Sequence, residues 1–200
     1  ILIESGKSLP DFDYYCPVVS LPLAFKTSVE TIPAPLSYLY VDEAKKQQWN
    51  KRLGKHVMTR IGLVWAGNPD HTNDRNRSLL LKQFSSLFTL SFEFHSLQKD
   101  IREVDSQTIM DFPHIYQHQD ELQDFSDTAA LVDAMDIIIS VDTSVAHLAG
   151  AMGKKTWILL PYFPDFRWML DRDDSPWYPS AKLYRQERIN GWDTVIEKLK

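Results

Sequence analysis

From residue 60 onward, short apolar runs alternate with amphipathic stretches, and this alternation constrains the chain more than any other feature. IGLVWA (61–66), FEFHSL (92–97), HIYQ (114–117), IIISV (137–141), TWILL (156–160) and AKLYRQ (181–186) have strand lengths and many β-branched or aromatic residues. Helical spacing falls between them. Leu80, Phe84, Leu87 and Phe88 share one face of a helix expected through LLKQFSSLF. DTAALVDAM (127–135) forms another, capped by Ser126 or Asp127; a third covers 143–152 and a last begins at Trp192. Strands alternating with helices at this spacing imply an α/β fold, a Rossmann-like, doubly wound parallel sheet covered on both faces.

Residues 1–55 read differently. Pro10, Pro17, Pro22, Pro33 and Pro35 cannot sit inside sheet ladders or helix interiors, so an extended connector is expected, ending in one helix over VDEAKKQQWNKRL. ILIESG, without an initial methionine, reads as the interior of a longer chain. The 200 residues carry a net charge of -5, which argues against holding nucleic acid by phosphate neutralisation. Cys16 is the single cysteine, so no intrachain disulfide or thiolate zinc cluster can form. That fits a reducing, cytoplasmic setting, and no apolar run reaches the ~18 residues of a membrane span. His71 has no second histidine at ligand spacing, so no metal site is expected.

In a doubly wound sheet the ligand crevice lies at the carboxyl ends of the strands, where loops and helix N-termini converge. VDTSVAHLAGAMGKKTW (141–157) starts there. Backbone N–H groups near Thr143, Ser144 and Val145 have no partner within the helix and favour an anion. Val145, Leu148, Ala149 and Met152 recur at helical spacing and are expected to face the sheet. Thr143, His147 and Gly150 then lie opposite. Asp142 reads either as the helix N-cap or as a ligand contact, and His147 either as a solvated side chain or as a group reaching the bound anion. Gly153, Lys154 and Lys155 read as a helix stop that complements the dipole.

Two further loops belong to the same end. GNPDHTNDRNR (67–77) exceeds the ~2 to 6 residues usual between strand and helix, and Ser78 is expected to cap the next helix. Gly67 would let the backbone approach a diphosphate, and Arg75 or Arg77 could clamp its oxygens. The alternative is a solvated loop in which Asp74 pairs with an arginine. In PYFPDFRWMLDRDDSPWYPS (161–180) Trp168, Trp177 or Tyr178 could stack on a base or sugar, though a packed corner with Arg172 against carboxylates is the favoured reading. Gln98, at the end of the second run, is a weaker candidate for the same contact.

VDTSVAHLAGAMGKK resembles the aspartate-threonine-small-x-x-histidine signature of glycosyltransferase family 9, the ADP-heptose:lipopolysaccharide heptosyltransferases. RSLLLKQFSSL resembles that family's segment in which a basic residue precedes a Trp-Pro and a helix. LPDFDYYCPVVSLPLAF, IGLVWAGNPDHTNDRNRSL, DFSDTAALVDAMD and DSPWYP together look closer to the glycosyltransferase-like C-terminal regions of bacterial tetratricopeptide-repeat (TPR) proteins. The resemblance implies the C-terminal half of a GT-B fold. Residues 1–55 would be a connector and remnant of an N-terminal acceptor domain, and 56–200 the domain that binds a nucleotide-diphosphate-sugar donor as substrate, with no cofactor. Asp142, Thr143, Ser144 and His147 would meet the donor, with Arg77 where the family has lysine and Ser144 where it has glycine. The acceptor, a glycan or protein, is undefined, and upstream TPR repeats or an N-terminal domain would complete the protein and supply the catalytic base. Two alternatives stand beside this: a non-catalytic scaffold domain that keeps the fold, and a nucleotide-sugar epimerase.

Overall fold

The computed structural model describes residues 3–4 and 6–200. Ile1, Leu2 and Ser5, at the head of the expected connector, lie outside them. The chain divides into two compact units, Ile1–Pro33 and Ala34–Lys200. In the first, the prolines limit regular structure to single turns: 3₁₀ turns at Val18–Ser20 and Val29–Thr31, and helix α1 (Leu21–Ala24) with Pro22 in its first turn. None of its described residues is buried.

The second unit runs α2 (Glu43–Leu53), β1 (Arg60–Val64), α3 (Asp74–Arg77), β2 (Glu93–Ser96), α4 (Glu103–Asp111), α5 (Phe125–Asp133), β3 (Ile137–Val141), α6 (Ser144–Ala151), β4 (Thr156–Leu160), β5 (Ala181–Arg185) and α7 (Trp192–Glu197). All strand pairs are parallel and the order is β2-β1-β3-β4-β5. The chain moves outward from β1 to β2, then returns to the other side of β1 at β3. That reversal opens a crevice between the carboxyl ends of β1 and β3.

Successive strand residues point to opposite faces, and both faces are buried. Leu63, Ile139 and Leu159 join Trp65, Phe84, Phe94 and Val195 on one side. Val64 and Ile138 join Leu131, Met135, Ala149 and Trp49 of α2 on the other. A third cluster, Ala146, Ile158, Leu160, Leu183 and Trp168, seals the β4–β5 end.

Several elements differ from expectation. The helix through LLKQFSSLF is a 3₁₀ turn, Leu81–Phe84, because its buried residues Leu81, Phe84 and Leu87 recur every three positions. HIYQ adds no strand: Tyr116 makes an isolated bridge, its N–H donating to the Phe94 carbonyl at 2.9 Å while its own carbonyl accepts from Ser96 N–H at 2.8 Å, and Ile115 packs into the core. The cap of α5 is Asp124, accepting from the N–H groups of Ser126 and Asp127. On α6 the buried residues are Ala146, Ala149, Gly150 and Ala151, whereas Val145 and Met152 are half-buried. The small residues let α6 sit close to the sheet between α5 and Tyr178, so it is enclosed on more than one flank. Among the described residues no helix is long and apolar enough to cross a membrane.

Candidate functional site

The loop after β1 is folded around Asp74. Its Oδ1 accepts from Ser78 Oγ at 2.7 Å and its Oδ2 from Arg102 Nη2 at 2.6 Å. Ser78 Oγ also accepts from Gly67 N–H at 3.0 Å, and Arg102 donates to the Gly67 carbonyl at 2.9 Å. Ser78 therefore closes the loop and ends α3, where a cap for a following helix was expected. Both backbone groups of Gly67 are engaged within the loop. Its missing side chain makes room for an arginine, since a Cβ there would lie 2.5 Å from Arg77 Nη2.

So held, Arg77 crosses the crevice and donates from Nη1 to the Asp142 carbonyl at 2.9 Å. Its Nε is buried without a partner and lies 3.9 Å from Asp74 Oδ1. Arg75 is exposed and lines neither of the clefts described below.

Across the crevice, Thr143 occupies the N-cap position of α6 in extended conformation, with no side-chain hydrogen bond to the first turn. Its hydroxyl instead lies 3.1 Å from Ser140 Oγ. The Asp142 carboxylate does not cap the helix either; its Oδ1 stands 3.8 Å from His147 Nε2. The first-turn N–H groups of α6 are thus left without a side-chain acceptor, the arrangement that favours an anionic ligand.

His147 is half-buried one turn further on. Its Nδ1 lies 2.9 Å from Tyr178 Oη, and its ring stacks on Trp168 with centroids 5.1 Å apart and planes 14° from parallel. Burial pushes its pKa below the usual histidine value; Asp142 opposes the shift and Arg167 adds to it. Burial also raises the Tyr178 phenol. Trp168 is fully buried, so it anchors the 161–180 corner and offers no face to a base or sugar. The arginine inside that corner is Arg185, which donates to the carbonyls of Arg172 and Trp168. Arg172 pairs with Asp174 near the surface.

Two clefts meet at this point. One, about 670 Å³, has apolar walls of Val64, Leu97, Leu122, Phe125 and Val145, with Gln98 at its floor. The Gln98 amide is fixed to both backbone groups of Ala66, at 3.2 and 2.9 Å. The other, about 710 Å³, is the more polar of the two, its walls mixing Asp142, His147, Asp165 and Arg167 with Phe166, Trp177 and Tyr178. Arg77, Thr143 and Ser144 line both. Chemically, the Arg77 guanidinium, with Nη1 already bonded to the Asp142 carbonyl, lies beside free helix N–H groups where the two clefts meet.

The fold brings Asp142, Thr143, Ser144, His147, Gly67 and Arg77 to one point. Arg102 and Arg167 join them without a signal in the sequence, and Tyr178, expected only as a stacking aromatic, meets His147 through its hydroxyl. No local pattern marks these residues, because their partners lie in other loops.

The chain is a doubly wound α/β domain with a crevice at its switch point. No protein-family model matches the chain. Protein FlbA of Caulobacter vibrioides is 22% identical over 197 residues, covering 94% of this chain and 32% of FlbA. The structure of E. coli ADP-heptose lps heptosyltransferase II aligns at a TM-score of 0.45 with 15% identity, over 77% of this chain and 47% of that one. The chain thus spans about a third of the length of the curated relative and about half that of the solved structure. The fold assignment rests on strand order and register alone.

Proposed function

We propose that this chain is the donor-binding half of a two-domain GT-B glycosyltransferase and holds a nucleotide-diphosphate sugar at the β1–β3 crevice. The observation that carries the reading is Arg77. It bridges the two strand ends and lies beside the open N-terminus of α6, where two clefts of different polarity join. A diphosphate at the waist would meet the positive charge of Arg77, through the N–H groups not held by the Asp142 carbonyl, and the helix N–H groups. The apolar cleft suits a nucleobase and the polar one a sugar. As the glycosyl bond breaks, the same groups stabilise the negative charge that gathers on the departing diphosphate. The acceptor's base would come from upstream of this chain, from an N-terminal domain or TPR repeats of the intact protein, and the chain alone binds donor without transferring it.

Calorimetric titration with ADP, UDP, GDP and CDP tests this. At least one is expected to bind saturably, and Arg77→Ala to weaken that binding by about tenfold or more, the loss of a charge-assisted hydrogen bond. A folded protein silent to all four sinks the reading. The same silence would support the scaffold alternative, which is favoured by Ser144 at the family's glycine position and by the engagement of both Gly67 backbone groups within the loop.

A further inference from the structure

Tyr178 lies outside the stretch that resembles a donor-binding signature, yet it is built against that stretch. Gly150 on α6 makes the space: a Cβ there would lie 2.5 Å from the Tyr178 ring. The ring therefore rests on the helix backbone, and its hydroxyl meets His147 Nδ1 at 2.9 Å. The opposite ring nitrogen, Nε2, faces the Asp142 carboxylate at 3.8 Å. An ionised carboxylate only accepts, so it favours a proton on Nε2. A neutral imidazole with that proton has a bare Nδ1, and Tyr178 is the donor at hand. The Tyr38 hydroxyl stands beside Tyr178 and competes with Nδ1 as an acceptor for the same proton.

We infer that Tyr178 is a positioning residue, holding His147 as the neutral Nε2–H tautomer so that the anion in the polar cleft meets an uncharged N–H donor. The inference rests on the donor-binding reading. The stacked Trp168 ring fixes the imidazole plane, which leaves the half-turn flip of the ring about Cβ–Cγ as the freedom Tyr178 removes. The charged and titratable groups around His147 are Asp142 before α6, Asp165, Arg167 and Tyr178 from the 161–180 loop, Tyr38 beyond Tyr178, and His71 and Arg77 across the cleft. They are mixed in sign, and burial, the largest influence, disfavours the cation. A raised Tyr178 phenol argues for a steady donor and against an activated nucleophile.

Imidazole ¹⁵N shifts of the ligand-free chain read the tautomer directly. The expected result is a protonated Nε2, a bare Nδ1, and titration below the usual histidine range. Tyr178→Phe should mix the tautomers and move the titration upward. It should also weaken the tightest binder among ADP, UDP, GDP and CDP by roughly five- to tenfold at pH 7.5, as loss of one oriented hydrogen bond implies. The loss should shrink at lower pH, where the freed imidazole gains a proton and binds the anion by charge. A protonated Nδ1 in the wild-type chain overturns the inference, and this holds even if the variant does not fold. So does a folded Tyr178→Phe with unmoved tautomer, unmoved titration or unmoved affinity. Failure of wild type to bind any of the four nucleotides counts against the donor reading and, through it, the positioning role; the tautomer is read without ligand and separates the two.

Discussion

Asp105 and Asp142 are both acids beside the crevice strands, and the structure gives them opposite work. Asp105 is buried, accepting from Trp65 Nε1 and from Leu81 N–H, each at 2.8 Å. Asp105→Ala leaves two buried donors without partners, and the expected cost is about 3 kcal/mol in urea unfolding; a loss below about 1 kcal/mol would contradict the assignment. Asp142 makes no capping bond, so Asp142→Ala should cost less than about 1 kcal/mol while weakening nucleotide binding severalfold. A large drop in melting temperature at unchanged affinity would reverse that distinction. Legibility follows the same line. Asp142, Thr143 and His147 were readable because they share one short segment behind a buried strand. Asp105, Arg102 and Tyr178 were not, because their partners Trp65, Asp74 and His147 lie 40, 28 and 31 residues away.

At the scale of elements, β3 and β4 were readable to the residue, since a buried parallel strand shows as an unbroken apolar run between polar loops. Helix α4 was not, because its pattern is short and its buried Asp105 and Thr108 look like surface positions in sequence. The edge beyond β2 holds a second feature invisible to periodicity. His95 on β2 is buried, with Nδ1 3.0 Å from His118 Nε2 and its ring stacked on Tyr116. Burial first, then the neighbouring histidine and Arg60, lowers His95 to about 3; burial lowers His118 to about 4, with Glu121 opposing and Arg52 reinforcing. Glu93 also faces His95, 4.0 Å from its Nε2. Both folded-state values lie below the unfolded value of about 6.5, so the unfolded chain binds more protons between them. Stability is therefore full above about pH 6.5 and falls as the pH drops toward 4, by on the order of 2 kcal/mol per histidine at pH 5. His147 shares the sign. Chemical unfolding at pH 7 and 5 should show this loss, and His95→Asn/His118→Gln should flatten most of it. An unchanged slope in the double variant would exclude the pair as its source.

For the whole molecule, the question is which part of the chain holds itself together. The Ile1–Pro33 unit buries none of its described residues, and a piece below about 40 residues without disulfide or metal rarely sustains a core. The Ala34–Lys200 unit holds all three apolar clusters and the complete sheet. It also begins with a segment tied to α6, since the N–H groups of Tyr38 and Leu39 both donate to the Ala151 carbonyl and Gly153 packs on Leu36. Every residue lining the two clefts falls between Val64 and Tyr178. Removal of residues 1–33 should therefore leave a cooperative unfolding transition within about 1 kcal/mol of the parent, and nucleotide affinity within about twofold. Removal of residues 1–42 reaches further, cutting away the strap over α6 and the Asp42 cap that accepts from Lys45 N–H at 3.0 Å. That deletion should cost roughly 2 kcal/mol or more and loosen Tyr178 by taking away Tyr38. Equal melting of the two truncations would show that the strap contributes nothing. Melting of the shorter deletion far below the parent would show that the first unit supports the second.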